Sequence, residues 1–156
     1  MKKAFLLILS ACVFLNLFGC AGSMRSLSNH EINEVVERGR YSKLEQARQT
    51  VALALEYFDQ GGYEKSAGLF LEAADLYRGL DASDEERRAL IAAAKVQLKC
   101  SHRQPFLLTM ARFKGLLGRL EMPSEEERFL INLSDHMKGK PLTYPVKGAC
   151  QVIFNN

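Results

Sequence analysis

Three histidines and four cysteines are the side chains of this 156-residue chain with the widest chemistry, and their spacing limits what they can do. His30, His102 and His136 are scattered, and Cys100, two residues before His102, is the one cysteine at ligand spacing from a histidine. Two ligands do not make a zinc site, which takes three or four. No HExxH, GxSxG or glycine-rich phosphate loop occurs. Ser101 and His102 are a nucleophile and a base by type, but adjacent loop residues rarely face each other, so His102 reads as a solvated loop residue. The carboxylate run Glu125-Glu126-Glu127 stands where a helix begins and complements its dipole, which leaves glycoside cleavage unsupported. No catalytic residue, metal or cofactor is expected.

The remaining cysteines are read through the ends of the chain. Met1-Lys2-Lys3 is a basic start, and Ala4 to Phe18 is an apolar run broken by Ser10 and Asn16 and ending at Gly19-Cys20. This is the pattern of a signal peptide. It is short for a membrane span, which takes about 20 apolar residues. Leu17-Phe18-Gly19-Cys20 resembles the lipobox of bacterial lipoproteins, with Phe18 departing from the small or β-branched residue usual there. The resemblance implies cleavage before Cys20 and acylation of that residue, so that two or three chains anchor it stably where one would not. It sets a leader (1–19) and a lipidated cysteine with a short tether (20–28) ahead of the remainder of the chain. Ala21 in place of aspartate implies sorting to the outer membrane, facing the periplasm, in a two-membrane bacterium.

With Lys2 and Lys3 removed, the formal charge of +3 falls to +1, so no nucleic-acid partner is implied. The length suits one small domain. Four Ser-x-x-Glu spacings, Ser28/Glu31, Ser42/Glu45, Ser83/Glu86 and Ser124/Glu127, each precede an apolar repeat of helical period and predict capping boxes. Together with the Gly61-Gly62 turn and Pro105, they predict six helices over 29–38, 43–60, 63–79, 84–100, 105–120 and 125–138. The core stripes are Leu44, Ala47, Val51, Ala54 and Phe58; Tyr63, Ala67, Phe70, Ala74 and Tyr77; Ala89, Ala93, Val96 and Cys100; and Phe106, Met110, Phe113, Leu117 and Leu120. The class is all-α, antiparallel helical hairpins over 29–138 followed by a short irregular tail.

One pair carries a second resemblance. Leu53, Tyr57, Gly61, Tyr63, Phe70 and Ala73, with Ser66 in place of the usual alanine, stand at the spacings of a tetratricopeptide repeat. The match covers about one repeat; Ser83 to Leu120 reads as a degenerate second one and Ser124 to Lys138 as an end helix. The resemblance implies a scaffold whose first helices line a partner groove, with Arg48, Leu55 and Asp59 on or near it and Val51 and Phe58 there or in the core. The fourth helix adds Arg88, Lys95 and Lys99 on one stripe.

Arg87 to Leu120 holds eight basic residues and no acid. That asymmetry fits either an acidic partner or anionic headgroups, or else a solvated face. Three functions are consistent with these features: a lipid-anchored periplasmic adaptor docking a protein partner in envelope assembly of the secretion or pilus type; a structural lipoprotein whose basic face lies on anionic membrane or wall polymer; and, least supported, an envelope enzyme or inhibitor. The tail, 139–156, carries Pro141, Pro145 and Gly148 and cannot continue a helix. It is expected to dock on the domain through a disulfide between Cys150 and Cys100.

Overall fold

The computed structural model describes residues 28–117 and 122–141. The chain divides into two compact units, residues 1–36 and 37–156. The expected leader, Cys20, Arg119, Leu120, the tail beyond Pro141 and Cys150 with its disulfide lie outside the described residues.

The described residues form five helices: α1 Asn29–Asp59, α2 Tyr63–Arg78, α3 Ser83–Lys99, α4 Arg103–Leu116 and α5 Glu125–Met137. The described residues contain no strand, and the protein is all-helical. The helices expected over 29–38 and 43–60 are a single one. Nothing in Gly39-Arg40-Tyr41-Ser42 removes a backbone N–H, and one interior glycine costs about 1 kcal/mol, too little to stop a helix that continues into a buried face. Ser42 is thus interior and starts nothing.

Two of the four capping boxes form. In the first unit, Glu31 Oε2 accepts from the Ser28 amide at 2.8 Å and the Glu31 amide donates back to Ser28 Oγ at 3.3 Å. This pairing holds the Glu31 carboxyl below its ordinary range. At α5, Glu127 and Ser124 make the same exchange at 2.7 and 3.3 Å. The Ser83 box does not form: Ala82 is the N-cap of α3, and Glu86 is used elsewhere. Pro105 sits in the first turn of α4, two residues after the start, where its missing N–H has no intrahelical partner to lose.

In the second unit, two apolar clusters join the helices. Ala54 of α1 packs with Ala67 and Phe70 of α2 and with Ala93 and Val96 of α3, all buried. The larger cluster holds Ala47, Ala73, Tyr77, Leu90, Phe106, Phe113 and Leu130, drawn from all five helices. On α1, two alanines are the fully buried contacts while Leu44, Val51 and Phe58 are half-buried, so small side chains set its close approach. The connection to α2 needs its glycines. Gly61 has φ +77°, and a Cβ on Gly62 would lie 3.2 Å from the Tyr57 carbonyl.

Candidate functional site

The basic segment is where the structure departs most from the charge pattern. Glu127 accepts Arg87 Nε at 2.6 Å and a second bond from its Nη2, a two-pronged contact nearly closed to solvent. Lys95 meets Glu126 at 2.7 Å, Lys114 meets Asp135 at 2.8 Å, and Arg112 reaches both Glu86 at 2.6 Å and Asp75 at 2.8 Å. Arg103 donates to the Met137 carbonyl. The Lys99 ammonium stands over the rings of Phe58 at 4.5 Å and Tyr63 at 4.7 Å, a cation–π seat between α3 and the α1–α2 turn. Every acid in these pairs lies outside the acid-free stretch, on α2, the first turn of α3, or α5. The segment's cations therefore join helices, and Arg88 is the one described member with an exposed side chain and no such contact.

These pairings set the local acidities. Arg87 holds the Glu127 carboxyl below its ordinary value against the opposing effect of burial, helped by the Ser124 amide. Lys114, followed by Lys140, does the same for Asp135. Burial pushes the Tyr77 phenol up; the Glu85 charge adds to this and Arg48 offsets part of it.

The expected groove residues are distributed along α1 and α3. Arg48, Leu55 and Asp59 share one exposed flank of α1, with Leu55 52% accessible. Tyr41 extends that flank two turns earlier at 69%. Val51 and Phe58 are half-buried against the core rather than on the open flank. On α3, Arg88 is exposed; Lys95 is turned to α5; Lys99 is turned to the α1–α2 rings. No hydrogen bond or ion pair among the described residues joins Arg48 or Asp59 to Arg88.

Two concavities flank the seam of α1 with α3. At one end, an open depression of about 630 Å³ lies between the Gly61-Gly62 turn and Cys100 and His102. At the other, a cavity of about 290 Å³ is lined by Tyr41 and Leu44 of α1, by Leu80 and Ala82 of the α2–α3 turn, and by Glu85. Neither was visible in the sequence, because each joins residues some 40 positions apart. A weak signal existed for the second: Tyr41 is a large side chain one turn off the apolar stripe.

Among the described residues, no three His, Cys, Asp or Glu side chains stand together as a metal site, and no helix is long and apolar enough to cross a membrane. Cys100 is half-buried at the end of α3. No protein-family model, curated protein or solved structure matches this chain.

Proposed function

We propose that this protein is a lipid-anchored periplasmic adaptor of the outer membrane, a tetratricopeptide-like stack of two hairpins, α1–α2 and α3–α4, closed by α5, that docks a protein partner in envelope assembly. The observation that carries the reading is the neighbour pattern. α3 touches α1 through Lys99 and Phe58 and touches α5 through Arg87 and Glu127, while α2 touches α4 through Asp75 and Arg112. Odd-numbered helices thus stand beside odd ones, and an even beside an even, as stacked hairpins require. Ser66 and Ala73 are fully buried on α2, the small residues that the repeat pattern needs for close helix approach. The anchor rests on Leu17-Phe18-Gly19-Cys20 and its basic, apolar leader.

The exposed α1 flank, Arg48, Leu55 and Asp59, is the docking face in this reading. The engagement of the basic segment's cations inside the fold favours it over binding to anionic membrane or wall polymer, since a side chain tied to Glu127 or Glu86 is not offered to headgroups. A photo-crosslinking amino acid at Leu55, activated in cells, is expected to trap one stoichiometric envelope protein. Crosslinks that are absent, or spread thinly over many proteins, would overturn the adaptor reading.

A further inference from the structure

The cavity between α1 and the α2–α3 turn has a chemistry distinct from the rest of the molecule. Its floor is apolar, from Leu44, Leu80 and Ala82, and the exposed Tyr41 forms one wall. Glu37 and Glu85 stand on its rim, and neither forms an ion pair among the described residues. Arg40, the one cation among the lining residues, is turned to the Leu80 carbonyl, to which it donates at 3.4 Å. Asp81 and Asp84, both exposed on the same turn and helix start, add to the negative field. Where the basic segment is neutralised from within, this end of the α1–α3 seam sets two carboxylates against the one guanidinium of Arg40 around an apolar hollow, leaving its lining with a net negative charge.

The volume, about 290 Å³, lies just below the range of ligand pockets, which run from about 300 to 1,000 Å³, and suits one long side chain better than a cofactor. We propose that it receives an arginine presented by the partner protein. The aliphatic stem would lie on Leu44 and Leu80, with the guanidinium between Glu37 and Glu85 and against the Tyr41 ring. Arginine fits because it joins an apolar stem to a flat, permanently charged fork that pairs with carboxylates and stacks on aromatic faces. The source of the arginine rests on the adaptor reading; the cavity's preference for it does not.

The test uses the mature full-length protein in detergent micelles, isotope-labelled for NMR, titrated with the peptide acetyl-Leu-Arg-Leu-amide and with its citrulline counterpart, which keeps the shape and removes the charge. Saturable shifts are expected at the amides of Tyr41, Leu44 and Leu80, with affinity about fivefold weaker for citrulline, the scale of two solvent-facing ion pairs. Glu37→Gln with Glu85→Gln should produce the same loss and leave the helical circular dichroism unchanged. Absence of saturable shifts at these amides, or equal shifts with citrulline, would overturn the proposal. Crosslinking at Leu55 is read separately. If it persists while the peptide result is negative, the adaptor stands and the arginine site falls. If the peptide binds and Leu55 traps nothing, the reverse holds.

Discussion

Arg112 holds two acids at once, and one of them, Glu86, is 3% exposed. Arg112→Ala leaves that carboxylate buried and unpaired, and is expected to cost about 3–5 kcal/mol, read as a lower urea midpoint at unchanged slope. Ser66 should behave in the opposite sense. Its hydroxyl is fully buried with no hydrogen-bond partner among the described residues, so Ser66→Ala removes a desolvated polar group at almost constant volume and should stabilise by about 1 kcal/mol. The Glu127 carboxyl is held below its ordinary value, so its contribution is present above that value and is lost as pH falls through the lowered one. Stability measured at descending pH should fall in the acid range, and Glu127→Gln, less stable at neutral pH, should show a shallower fall. The burial of Ser66 was legible in the sequence as that of a small residue placed where two helices approach. Arg87 and Lys95 were legible only as unopposed charges, because their partners on α5 lie some 30 to 40 residues away and a run of one sign does not reveal what packs on it.

Helix positions were readable from periodicity and punctuation, to within a residue or two for α2 and α5. The buried stripes also hold at Ala67, Phe70, Ala74 and Tyr77 and at Phe106, Met110 and Phe113. The break expected before Ser42 failed, because a Ser-x-x-Glu spacing within a helix looks the same as one that starts it, and propagation across Gly39 is cheaper than a new nucleus. The glycine left inside α1 can be improved: a Cβ at Gly39 would meet nothing within 4 Å. Gly39→Ala is expected to stabilise by about 0.5–1 kcal/mol, seen as a higher melting temperature. At α5 the box that does form should matter. Ser124→Ala should cost about 1 kcal/mol by the same measurement. The candidate site was less legible than the helices. Arg48, Leu55 and Asp59 follow from one helix's own rotation, whereas the Tyr41–Leu80–Glu85 cavity exists only once the α2–α3 turn is folded against α1.

For the molecule as a whole, the anchor and the fold are separable expectations. Cys20→Ser should abolish labelled fatty-acid incorporation and membrane fractionation while leaving the helical spectrum unchanged; labelling that persists would refute lipidation at that position. The Cys100–Cys150 bridge is open to the same kind of check, since recovery of the two as separately alkylated peptides under non-reducing conditions would eliminate it. Among the described helices, α3 has the most buried residues. Eight of its 17 residues are buried, and it meets α1 at Lys99, α4 at Glu86 and α5 at Arg87 and Lys95. A helix so enclosed cannot loosen alone, since each neighbour must first come away. Its amides at Leu90, Ala93 and Ala94 should therefore exchange with solvent deuterium last, at the rate of complete unfolding, with those of α5 ahead of them. In that ordering α3 is the clock of the molecule, and every exposed face of the described fold lasts as long as α3 stays closed.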